Sequence, residues 1–207
     1  MLAIINGQVH TMAGPVLQSG RILIKNERIL AVGDSKLPIP MEAQVIDAKG
    51  KVVMPGLIDA HCHLGLMEEV YQIEGDDTNE TSDPVTPHLR AIDGINPADL
   101  GFRDALKAGI TTVYTGPGSG NVIGGLGVAI HTYGTIVDKM ILRYPAGLKV
   151  AFGENPKRVY AEQKKMPITR MANAALLREN MIAAEEYLKN KTLSDSKEER
   201  NLKLETL

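Results

Sequence analysis

The sequence predicts an α/β fold in two parts: a small β unit over residues 1–54 and a βα-repeat region over residues 55–207. Three observations lead there. Short apolar runs broken by Asn, Gly and Pro turn residues fill the first part, which is the pattern of a strand-rich module. From Leu57 to Tyr114 the order is strand, loop, helix, strand, and that repeat predicts a parallel sheet. Further on, Leu177, Met181, Ala184 and Leu188 recur at helical spacing and predict a long helix with an apolar packing face.

The first part reads as antiparallel strands in succession. Leu2–Ile5 is a strand, Asn6-Gly7 is a hairpin signal, and Gln8–Met12 is the return strand. Gly20–Asn26 alternates, Asn26–Arg28 turns, and Ile29–Gly33 follows. Pro38 and Pro40 mark a loop before the short strands Gln44–Asp47 and Lys51–Met54. A module of this size buries little apolar surface by itself.

The second part opens on the most informative stretch, Pro55-Gly-Leu-Ile-Asp-Ala-His-Cys-His-Leu-Gly65. Leu57–Ala60 is a short apolar strand with His61 and His63 at its far end. Strand side chains alternate faces, so His61 and His63 share one face and Cys62 takes the other. Two imidazoles on one face of a strand tip are half of a divalent-metal site. This string resembles the first-strand signature of the amidohydrolase superfamily, close to its imidazolonepropionase-like branch. The crossing segment Asp47–Gly56 matches the family as well.

The resemblance implies a partial (β/α)8 TIM barrel preceded by a small β-sandwich subdomain. It implies one or two divalent ions, zinc by expectation, with His61 and His63 as ligands. It also implies metal-dependent hydrolysis of a C–N bond in an amide, cyclic amide or peptide-like small molecule.

Residues 67–96 form a long polar stretch, which a barrel of this kind would place over the active-site face as its first βα loop. His88 and Arg90 are its candidates for substrate contact. Asn96 caps a helix with Pro97 in its first turn, and Gly109 ends it. Ile110–Tyr114 is a β-branched strand. Thr115–Gly120 and Gly124–Gly127 are glycine-rich but lack the Gly-Lys-Ser/Thr ending of a phosphate loop. Val122–Thr132 continues as a strand.

Leu148–Phe152 reads as a buried strand that contains Lys149, and a lysine there is costly unless neutralised or paired. In relatives, a lysine so placed is carbamylated and bridges two metals. Others use a glutamate at the strand end, for which Glu154 is available. Both remain open, with Lys149 preferred. Thr169 caps the long helix, and Ser196–Glu199 is a capping box for another.

The family's remaining ligands are later histidines and an aspartate base. No histidine follows His131, and Asp195 lies in a polar linker. About half a barrel fits in this length. The expectation is therefore the N-terminal portion of a longer enzyme, inactive alone. The alternative is a non-catalytic fragment or scaffold that assembles with another chain.

Composition narrows the remaining classes. The formal net charge is −2, and no basic face offers a footprint for nucleic acid. No apolar run reaches the roughly 18 residues of a membrane span, and the first residues lack a secretory pattern. The single cysteine excludes an internal disulfide and fits a reducing cytoplasm. The expected partners are a small amide-type substrate and further copies of the chain as a homo-oligomer.

Overall fold

A computed structural model describes residues 1–71, 73–193 and 199–207. The chain divides into two compact units, Met1–Gly56 and Leu57–Leu207.

The first unit is one five-stranded sheet. Strands β1 (Leu2–Val9), β2 (Leu17–Lys25), β3 (Arg28–Gly33) and β4 (Gln44–Asp47) lie in the order β3-β2-β1-β4, and β5 (Val52–Val53) pairs with β1. The turn at Asn26-Glu27 has two positive φ angles, 50° and 62°, as a tight hairpin between β2 and β3 requires. The expected hairpin at Asn6-Gly7 does not form; β1 runs straight through it. Asn6 has φ 61°, and the β1–β2 register shifts between Ile4 and Gly7, so the left-handed residue makes a bulge and not a reversal. Asn6 also donates to the Asp47 carboxylate at 3.0 Å.

That bulge faces the turn between β4 and β5, which pair in succession along one edge of β1. Both are parallel to β1, which corrects the wholly antiparallel reading. The ten-residue connection from Gly33 to Gln44 is long enough to carry the chain back for parallel pairing.

The second unit holds a four-stranded sheet, β6 (Leu57–Cys62), β7 (Ile110–Thr115), β8 (Ile123–His131) and β9 (Ile141–Val150), in the order β6-β7-β8-β9. Helices α1 (Leu100–Lys107), α2 (Val137–Met140), α3 (Glu154–Glu162), α4 (Arg170–Leu193) and α5 (Leu202–Thr206) complete it. β6 and β7 are parallel, joined across α1 as the βα pattern requires. β8 and β9 are antiparallel to their neighbours, and there the expected parallel sheet is corrected. The reason is loop length. Only Gly116–Val122 separates β7 from β8, and a parallel return needs a crossover of a dozen residues or more.

Phe102 of α1 packs with Val113, Val128, Ile130 and Met140 to form the main core cluster. α1 starts three residues later than Asn96 and Pro97 suggest. Asp99 is its N-cap, while the Asn96 side chain accepts from the Ala98 amide in the turn before it. The helix exits at Gly109, with φ 85°.

Thr169 caps α4 by accepting from the Ala172 amide at 3.1 Å. The buried face of α4 carries Asn173, Ala184 and Tyr187, whereas Met181 and Leu188 are exposed. The apolar face expected through Met181 and Leu188 is thus displaced around the helix. α5 is capped by Asn201, whose side chain accepts from the Lys203 and Leu204 amides. Ser196, on which the expected capping box rests, and Asp195 lie outside the described residues.

Candidate metal-binding site

β6 is tied at its start and bonded to itself near its tip. The Leu57 amide donates to the Gly109 carbonyl, and the Asp59 carboxylate accepts from the His61 amide at 3.0 Å. At and just past the tip of β6, Tyr114 and Thr115 of β7 and Gly116 after it grip the histidine segment. The Cys62 thiol donates to the Tyr114 carbonyl at 3.3 Å. The Thr115 hydroxyl donates to the Leu64 carbonyl at 2.9 Å. His63 Nδ1 lies 2.7 Å from the Gly116 carbonyl. Gly65 then turns the chain with φ 78°, in a space where a Cβ would fall 2.8 Å from the Phe102 ring.

This grip orients the His63 ring. The His61 and His63 centroids are 5.6 Å apart with planes at 84°. Cys62 packs against the core cluster instead, and burial raises its thiol pKa, so it stays protonated and uncharged. A carbonyl oxygen can only accept, so Nδ1 of His63 carries the hydrogen and Nε2 keeps its lone pair. A histidine locked this way is set up to ligate through Nε2. The chemistry of this donor pair therefore fits a divalent ion of the zinc class.

Lys149 lies near the end of β9, opposite Gly125 of β8. Its Cγ is 3.4 Å from where a Cβ on Gly124 would stand, and that point is 3.3 Å from Pro117. The lysine thus passes over a glycine floor beside the same 116–118 turn that holds His63. Burial lowers its pKa below the ordinary lysine value.

Glu154 is placed differently. It occupies the first turn of α3 with its side chain 83% exposed, and it pairs with Lys157 at 3.3 Å. His88 is half-buried, with Nδ1 enclosed and lacking a hydrogen-bond partner. Arg90 makes a two-pronged contact with Asp93, at 2.8 and 2.6 Å, on the exposed rim of an open cavity of about 380 Å³. Asp76, Asn79 and Pro117 line the same cavity. The structure therefore brings His61 and His63 together and turns Glu154 to solvent. Among the described residues no three His, Cys, Asp or Glu side chains gather as a metal cluster.

Two residues near the site carry no local signal in the sequence. Tyr114 projects its hydroxyl toward Gly116, Gly127 and Gly147. Asn79 reaches from the long polar stretch to the turn after Gly116, accepting from the Gly120 amide at 2.6 Å. The glycines at 116–120 were the available clue, since a glycine cluster without phosphate-loop spacing marks close approach by something else.

The whole chain superposes on an amidohydrolase from Thermotoga maritima with a TM-score of 0.94 and 39% identity. The chain belongs to the amidohydrolases. It spans 54% of that solved chain. A curated relative, the amidohydrolase tasK of Hapsidospora irregularis, is 34% identical over 169 residues, which is 75% of this amidohydrolase chain and 17% of the relative. The imidazolonepropionase of Geobacillus kaustophilus is 49% identical over 55 residues, 24% of this chain and 13% of that protein. No family model matches the chain. Among the described residues no helix is long and apolar enough to cross a membrane.

Proposed function

We propose that this amidohydrolase chain contributes the first metal ligands of an enzyme that hydrolyses a C–N bond in a small amide, cyclic amide or dipeptide-like substrate. The observation that carries the reading is the His63–Gly116 contact, which leaves Nε2 of His63 as a lone-pair donor beside the His61 ring. His61 and His63 would hold one or two divalent ions, with zinc the first expectation. Such an ion supplies a Lewis acid that polarises a carbonyl and brings the pKa of water near neutrality.

Lys149 is the preferred further ligand, as a carbamate. Its half-buried place beside the 116–118 turn and its lowered pKa support it over the solvent-facing Glu154. The exposed Arg90–Asp93 pair and His88 lie in the polar stretch and would meet substrate there. The names of the relatives support C–N chemistry and leave the substrate open.

Metal analysis of the full-length protein tests the reading, followed by a screen of cyclic amides, N-acyl amino acids and dipeptides. Stoichiometric zinc that His61→Ala and His63→Ala both abolish is the expected result. Zinc retained by both variants overturns it.

A second reading, assembly with another chain, is supported by one feature. β6 is an edge strand on which Ile58 is 71% exposed. Homo-oligomerisation would cover that edge. Size-exclusion chromatography of wild type and Ile58→Lys distinguishes the two: a dimer that the variant dissociates favours assembly.

A further inference from the structure

We propose that Asn79 is a positioning residue for His63, acting through the glycine turn at 116–120. The proposal deepens the metal-site reading and rests on it where ion affinity is concerned; the tautomer of His63 does not depend on that reading.

The path is short: a hydrogen bond at each end, joined by the backbone of the 116–120 turn. His63 Nδ1 donates to the Gly116 carbonyl at 2.7 Å. The turn that carries this carbonyl contains three buried glycines and has little intrinsic stiffness. Two ties from the polar stretch hold it. The Gly118 amide donates to the Thr78 carbonyl at 2.8 Å, and the Gly120 amide donates to Asn79 Oδ1 at 2.6 Å. Asn79 is itself oriented, because its amide nitrogen donates to the Thr78 hydroxyl at 2.8 Å. That hydroxyl in turn donates to the Asp76 carboxylate.

The fit excludes side chains on the turn. A Cβ on Gly120 would stand 2.7 Å from Asn79 Oδ1, and one on Gly118 would overlap the Asn79 amide. The glycines of this segment are thus explained by the approach of Asn79, and not by a phosphate. Without the Asn79 acceptor, the buried Gly120 amide loses its partner and the turn keeps one tie of two. The Gly116 carbonyl then wanders, and the His63 ring is free to exchange tautomers. Groups that orient metal-ligating histidines typically cost 10–100-fold in affinity when removed. Asn79 acts one bond further out, so the low end applies.

The test uses the full-length protein with ¹⁵N-labelled histidine at about pH 8, where ordinary imidazoles are neutral. Other histidines contribute signals as well, so His63→Gln assigns the one in question. Wild type is expected to show His63 with the hydrogen on Nδ1 alone. Asn79→Leu should show a mixture of tautomers and an about ten-fold higher Kd for zinc. Asn79→Asp keeps an acceptor for the Gly120 amide but loses the donor to the Thr78 hydroxyl, so it should mix tautomers less than Asn79→Leu does.

If Asn79→Leu does not fold, Gly120→Ala reaches the same end by displacing the Asn79 side chain. A single Nδ1–H tautomer in both Asn79→Leu and Gly120→Ala overturns the proposal, whatever zinc does. Tautomer mixing in a protein that binds no zinc even as wild type upholds the positioning role and overturns the metal-site reading instead.

Discussion

The Tyr114 hydroxyl lies over the Cα of Gly127, in the space that a side chain at residue 127 would fill. The same hydroxyl is 3.1 Å from a Cβ position on Gly116 and 3.5 Å from one on Gly147. The phenol of β7 therefore rests across β8 and β9 on a floor of glycines. Gly127→Ala is expected to overpack this contact and cost about 1–3 kcal/mol in urea denaturation. In a Tyr114→Leu background the alanine should be tolerated, with a coupling energy of about 0.5–3 kcal/mol between the two sites. Equal costs in both backgrounds would show that the phenol is not what excludes the methyl.

Tyr160 of α3 is fully buried and donates to Asn121 Oδ1 at 2.6 Å, while Asn121 Nδ2 donates to the Glu80 carbonyl and the Thr86 hydroxyl. The network ties α3 and the long polar stretch to the start of β8. Tyr160→Phe leaves the Asn121 oxygen buried and unpaired, so a loss of about 1–3 kcal/mol is expected. Burial, then the Asp83 and Glu80 charges, push the Tyr160 pKa up to about 12. An unfolded tyrosine titrates near 10. The folded state thus holds the proton more tightly, and its stabilisation is complete below pH ~10 and lost as pH rises toward 12. Denaturation midpoints across that window should fall in wild type, and the Tyr160 component of the fall should be missing from Tyr160→Phe.

Lys149 offers a chemical prediction. Carbamylation joins a neutral amine to carbon dioxide, forming an N–C bond and releasing a proton. Burial lowers the Lys149 pKa, so more of its amine is neutral near pH 8 than for a surface lysine. With ¹³C-bicarbonate and zinc, a carbamate carbon signal is expected in wild type and should vanish in Lys149→Met. The same signal surviving in Lys149→Met would place the carbamate on another amine.

What could be read from the sequence was what local spacing decides. The Asn26-Glu27 turn, the strand Gln44–Asp47, the β-branched Ile110–Tyr114 and the Thr169 cap all follow from residues within a turn of one another. Asn6-Gly7 misleads because a left-handed Asn serves a bulge as well as a hairpin, and the partner that the bulged Asn6 meets is Asp47, 41 residues away. Strand direction was equally hidden. Nothing within β8 states its polarity, which follows from the short loop before it. At the site, the spacing of His61 and His63 was visible, but the carbonyl that orients one of them comes from Gly116, 53 residues later. The sequence favours Lys149 over Glu154 and leaves both open; the start of α3 turns the glutamate outward.

Cys62 sits between the two histidines in sequence and on the opposite face in space, which allows their roles to be separated. Its thiol packs on the core cluster and donates to the Tyr114 carbonyl at 3.3 Å. A ligand that binds only the folded state stabilises it by mass action, by about 2.7 kcal/mol when present at 100 times its Kd. Zinc should therefore raise the melting temperature of wild type, and a chelator should reverse the rise. Cys62→Ala should melt lower than wild type in both conditions, because a core contact is lost, yet keep the zinc-dependent increment. His63→Ala should melt near the chelated wild type and gain nothing from zinc. Loss of the increment in Cys62→Ala with retention in His63→Ala would mean that the thiol, and not the imidazole pair, faces the ion.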